Sequence, residues 1–106
     1  MQIDFFCVGN RANAIAYIES LPEDEAVDAI HVIDHLAQGH FSELGVKKWH
    51  QKIYEVYFKR HNRLFFTIEH NHIYILYACR KHKQKTAKQD KSNILRIFKI
   101  FKKTVG

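Results

Sequence analysis

KIYEVYFKRHNRLFFTIEHNHIYILYACR, residues 52–80, is three apolar-rich runs separated by short polar breaks. Ile, Tyr, Phe and Val dominate the runs, which predicts strands over 52–59, 63–69 and 72–80. Arg60-His61-Asn62 and His70-Asn71 are breaks short enough to make neighbouring strands antiparallel, so the segment reads as a three-strand meander. Side chains alternate across a strand, which places Ile53, Glu55 and Tyr57 on one face of the first run and Arg63, Phe65 and Thr67 on one face of the second. Neither set is uniformly polar. The pattern predicts a sheet with helices on one side and a partly apolar, partly cationic concavity on the other.

The run continues into Arg80-Lys81-His82-Lys83-Gln84-Lys85-Thr86, where cationic or cationisable groups crowd together. The wider charge distribution is equally lopsided. Up to Val46, Arg11 is the sole Lys or Arg, set against Asp4, Glu19, Glu23, Asp24, Glu25, Asp28, Asp34 and Glu43; from Lys47 onward the acids are Glu55, Glu69 and Asp90 against the bulk of the chain's 17 Lys and Arg. The net charge of +6 therefore conceals an acidic half and a strongly basic one. Such a basic half attracts phosphates, while a Lys-rich solvated surface is the plainer explanation of the same composition.

The flanks complete an α+β chain. Gln2 to Val8 reads as a first strand, and Arg11 to Ser20 as a helix through its alanines and Ile15 and Ile18. Pro22 breaks that helix and opens another, with Glu23, Asp24 and Glu25 at the positive end of its dipole and Gly39 at its close. Ala26, Ala29, Ile30, Ile33, Leu36 and Ala37 form the stripe expected to pack on the sheet. His40 to Gln51 reads as a loop anchored on the core by Trp49. Thr86 to Lys103 carries Ile94, Ile97, Phe98 and Phe101 on one side and basic residues on much of the other, an amphipathic helix expected to dock on the domain. One domain over residues 1–106 is the expectation from 106 residues.

Several chemistries find no support. The glycine patterns of nucleotide-binding loops are absent, and Cys7 and Cys79 lack metal-ligand spacing, reading instead as buried reduced thiols of a cytoplasmic protein. His31 and His35 lie four apart on a helix, where a surface or helix-packing pair is the expected reading, and neither a metal nor another cofactor is expected. No run approaches the length of a membrane span, and no membrane partner is expected.

The cationic exit suits metal-free RNA cleavage. That reaction needs a base for the 2′-hydroxyl, positive charge on the pentacoordinate phosphate and an acid for the leaving 5′-oxygen. On this reading Arg63, Arg80, Lys81 and Lys83 hold the phosphate, and His82 or a neighbouring Lys moves protons. Lys52, Tyr57, Arg60 and Lys85 would contact the rest of the substrate.

The order Ile53-Tyr54-Glu55-Val56, Asn62-Arg63-Leu64-Phe65-Phe66, Ile75-Leu76-Tyr77-Ala78 and Lys81-His82-Lys83-Gln84-Lys85-Thr86 resembles the RelE/ParE toxins, nearest their HigB-like, phage-derived branch. In that branch a Tyr-Glu-Leu-Arg strand precedes a strand carrying Arg, and Lys-Lys-Thr-Gln-Lys-Thr-Pro leads into the last helix. Ser20-Leu21-Pro22 and Ile33-Asp34-His35-Leu36 resemble the family's two-helix N-terminal region. Tyr57 stands where the branch has Arg, Ala87 where it has Pro, and no Tyr follows Tyr77. The resemblance implies a helical hairpin on an antiparallel sheet, endoribonuclease activity on mRNA, often on the ribosome, and neutralisation by a cognate antitoxin. A ParE-like gyrase poison and a non-catalytic nucleic-acid binder are the alternatives.

Overall fold

The computed structural model describes residues 1–81 and 86–105. The meander is present as β3 (Ile53–Phe58), β4 (Asn62–Glu69) and β5 (His72–Arg80). Its second turn brings His70 and Asn71 into positive φ, and Glu69 pairs with His72 across it. That is the geometry that matches the twist of a tight hairpin. Arg60 and His61 also take positive φ in the first turn.

Two further strands widen the sheet. β1 (Gln2–Phe5) lies parallel to β5, and β2 (Lys47–His50) lies antiparallel to β3, giving the order β1-β5-β4-β3-β2. The second of these corrects the loop expected over 40–51, which instead contains a one-turn helix α3 (Phe41–Leu44) and the edge strand β2. Lys47-Lys48-Trp49-His50 has little strand character of its own; pairing of Lys47 with Glu55 and Lys48 with Tyr54 imposes it.

The sheet is covered on both faces. α1 (Asn13–Glu19) and α2 (Glu23–Ala37) pack on one, where Ala14, Ala29, Val32 and Leu36 meet Val56, Leu64, Phe66, Ile73 and Ile75. α4 (Lys88–Thr104) packs on part of the other, where Ile94, Ile97, Phe98 and Phe101 meet Ile53, Phe65, Leu76 and Tyr77. Docking of the terminal helix is thus borne out, and apolar packing against α4 occupies the face where an open concavity was expected.

Two details set the positions of charged groups. α2 is rotated from its expected stripe: Glu25, Ala29, Val32 and Leu36 are buried, whereas Ile30 is 60% exposed. The rotation carries a glutamate inward. In β5, Phe65 pairs with Tyr77 and Phe66 with Ile75, leaving Leu76 as an extra residue. Leu76 and Tyr77 consequently both contribute to the α4-side core, and strict alternation is interrupted there.

Candidate functional site

On the α4 side, β3, β4 and β5 place Tyr57, Arg63 and Cys79 in one cross-strand row, and β2 sets Lys47 beside Glu55 in the next. Arg63 is buried, donates from Nη1 to the Asn62 carbonyl at 3.1 Å, and lies under the Tyr57 ring with its guanidinium carbon 3.1 Å from the centroid. Lys47 Nζ is 5.5 Å from the same centroid. Lys81, just past β5, donates its backbone amide to the His61 carbonyl at 2.8 Å. Its buried ammonium lies 3.6 Å from Glu55 Oε2.

One buried cation, Lys81, thus faces the buried carboxylate of Glu55, and a second, Arg63, lies one cross-strand row away. Glu55 Oε2 and Arg63 Nε have no hydrogen-bond partner among the described residues. Buried polar atoms are nearly always partnered, so this pair marks a region whose polar capacity the described residues leave unfilled. In low dielectric, the excess positive charge acts strongly on any anion that arrives.

The neighbouring groups are tightly held. Tyr77 Oη donates to Asp90 Oδ1 at 2.8 Å and accepts from Asn93 Nδ2 at 3.2 Å, tying the first turns of α4 to β5. Burial, with the Asp90 contact adding, pushes the Tyr77 hydroxyl up to about 12. Burial likewise pushes the Cys79 thiol up to about 12; Asp90 adds to the rise, and Lys81 and Arg63 oppose it more weakly. Trp49 stacks edge-on to Phe65 at 5.2 Å and donates to Thr86 Oγ1 at 3.1 Å, closing the flank as a core anchor.

The other basic residues of the meander lie elsewhere. Arg80 projects to the α2 side, where Nη2 donates to Glu25 Oε1 at 2.6 Å and Nη1 to the Arg60 carbonyl at 2.9 Å. Asn62 Nδ2 donates to Glu25 Oε1 at 2.9 Å, and Tyr17 donates to Asn62 Oδ1. Arg60 meets Asp24 at 3.3 Å and Glu25 at 3.6 Å. The Asn62 amide holds the Glu25 carboxyl below its ordinary value; burial opposes this and Arg80 reinforces it.

Of the residues singled out by sequence, the structure thus brings Arg63, Tyr57 and Lys81 to one region. It does not bring Arg80 and Arg60 there, because their guanidinium groups are taken up by the acids of α2. Lys52 is exposed in the turn after β2, its carbonyl accepting from Thr67 Oγ1 at 2.8 Å. His82, Lys83 and Lys85 lie outside the described residues. Sequence reasoning misses Glu55 and Lys47 as members of this region. Alternation already places Glu55 on the face of Tyr57, but Lys47 belongs to β2, which has no strand pattern of its own.

One other expectation changes. Cys7 is exposed, while Cys79 is buried as expected. His35 pairs with His40, Nδ1 to Nδ1 at 3.0 Å, across the turn at Gly39. No group of three or more metal-ligating side chains occurs among the described residues.

A family model described as "Phage derived protein Gp49-like" matches residues 16–99. The chain belongs to the Gp49-like family. This family comprises RelE/HigB-like toxins of toxin–antitoxin systems, and the mixed α+β architecture found here is compatible with a RelE-like fold. The Gp49-like match spans both halves of the charge distribution, from α1 to the latter part of α4, and so includes Glu25, Glu55, Tyr57, Arg63 and Lys81. A search of the curated proteins gave no match.

Proposed function

We propose that this Gp49-like chain is a toxin that cleaves RNA without a metal and is held in check by a cognate antitoxin. The observation that supports this most is the ion pair of buried Lys81 with buried Glu55, with buried Arg63 one cross-strand row away under the half-exposed Tyr57 ring. An electropositive region of this kind stabilises the extra negative charge that develops when a 2′-oxygen attacks the adjacent phosphorus and the 5′-oxygen departs. The products are a 2′,3′-cyclic phosphate and a 5′-hydroxyl.

In this mechanism Arg63 and Lys81 supply the field, and Lys47 draws the RNA backbone toward it. Glu55 Oε2, which accepts no hydrogen bond from the described residues, takes the 2′-hydroxyl proton. His82 and Lys83, the next cationisable groups in the chain, are the candidates for protonating the leaving oxygen. Translating mRNA is the substrate that the family resemblance favours, and the cytoplasm the compartment.

The test is induction in cells followed by mapping of transcript 5′ ends, with the wild type, Arg63→Ala and Glu55→Gln compared. Removing one preorganised donor of this kind costs roughly 10²–10³ in rate, so cuts by Arg63→Ala should fall to background. Cuts in phase with codons would place the reaction on the ribosome. Growth arrest with an intact transcriptome would overturn the nuclease reading, and DNA damage signalling in its place would point to gyrase.

A further inference from the structure

The aromatic ring standing over the candidate site is exposed in an arrangement that packing alone does not require. Tyr57 is 44% exposed although its neighbours Val56 and Phe58 are buried. An exposed tyrosine on a sheet is ordinary by itself. What distinguishes this one is its underside: the Arg63 guanidinium lies 3.1 Å from the ring centroid and is itself fixed by the Asn62 carbonyl at 3.1 Å. Lys47 adds a second cation 5.5 Å from the centroid, from the adjacent edge strand.

We infer that Tyr57 is a stacking platform for one unpaired nucleobase, with Arg63 as the positioning residue that holds the ring flat on the sheet. The inference rests on the nucleic-acid reading above and adds to it a requirement for single-stranded substrate. Its physical basis is threefold. A planar guanidinium beneath the ring restrains its tilt, which lowers the entropy lost when a base lands on it. Bases stack on aromatic rings regardless of sequence, because every base has a π-face. The cations of Lys47 and Arg63 both approach the ring, so the phosphates flanking a stacked base meet positive charge beside it. A base still paired within a duplex cannot lie flat on Tyr57 while its backbone reaches those groups. The surface therefore selects a loop, an end or an unwound strand.

The experiment uses a short single-stranded oligonucleotide containing 2-aminopurine, with 2′-deoxy sugars throughout so that it cannot be cut. Binding is followed by fluorescence quenching with the full chain and with Tyr57→Ala, Tyr57→Phe and Tyr57→Trp. Stacking on one aromatic is worth about 1–3 kcal/mol. Tyr57→Ala should therefore bind roughly 10- to 100-fold more weakly and lose the quench, whereas the Phe and Trp variants retain both. A fully paired duplex of the same sequence should show no difference between wild type and Tyr57→Ala. Equal quenching and affinity for wild type and Tyr57→Ala on the single strand would overturn the platform while leaving the nuclease reading standing. Failure of the wild type to bind the oligonucleotide at low salt would overturn both. Far-ultraviolet circular dichroism of each variant separates loss of the ring from loss of the fold.

Discussion

On the α2 side of the sheet, Glu25 receives donors from both Arg80 and Asn62 at hydrogen-bonding distance. On the α4 side, Glu55 faces Lys81 at 3.6 Å with no donor to Oε2, and Arg63 Nε has no acceptor among the described residues. Both faces bury charge, and they bury it to different ends. A carboxylate fully met by its partners fastens α2 to the turn between β3 and β4 and leaves nothing for a ligand. A carboxylate that faces its cation at 3.6 Å, with no donor to Oε2 among the described residues, costs stability on its own account. Basicity in a sequence therefore has to be divided by face before it says anything about binding.

The sharpest way to break this contrast is Glu25→Ala. It strands Arg80 and Asn62 together, and in urea denaturation it should destabilise the fold more than Arg63→Ala does. The same group gives a pH signature. The Glu25 carboxyl is held below its ordinary value of 4.5 by Asn62 and then Arg80. The folded state thus binds fewer protons there than the unfolded chain. Its contribution is fully present above the unfolded value and disappears as pH falls through the folded one. The wild type should lose stability steeply below about pH 4.5, and Glu25→Gln should flatten that acid limb.

A smaller effect comes from ligand linkage. Inorganic phosphate should stabilise the wild type through the α4 side, by about 2.7 kcal/mol at a hundredfold excess over its Kd. Arg63→Ala should abolish the increment, while a change confined to the α2 side, such as Arg80→Lys, should preserve it. Equal stabilisation of wild type and Arg63→Ala would show that phosphate is binding elsewhere.

The smallest effect is a difference in thiol reactivity. Cys7 is exposed, whereas Cys79 lies beside Arg63 with its thiol pushed up to about 12 by burial. At about pH 8 a disulfide reagent should modify Cys7 promptly and Cys79 only after denaturant is added. Equal rates would mean that the α4 side is far more open than the packing of Phe98 and Phe101 implies.

How much of this is legible in the sequence follows from what each signal depends on. β3, β4, β5 and the stripe of Ile94, Ile97, Phe98 and Phe101 are readable because periodicity is a local property. β2 is not, since four residues including Lys47 and Lys48 become a strand only by pairing with β3. The inward turn of Glu25 is hidden because an acid in the first turn of a helix is already explained by the dipole. Charge alone groups Arg63 and Lys81 with Arg80 and Arg60, and the fold separates the two pairs. The acidic partners of Arg80 and Arg60 come from α2, more than thirty residues away in the chain.

The extra residue at Leu76 has a consequence for that grouping. Counting in twos from Tyr74, which sits opposite Thr67, would deliver Arg80 to the side of Arg63 and send Lys81 away. One inserted position inverts the parity of everything downstream, so that the cation held by Glu25 and the cation facing Glu55 exchange places. An indel or compensating bulge near residue 76 in a related chain would thus swap which of two adjacent basic side chains turns toward α2 and which toward Glu55, without altering the identity of either.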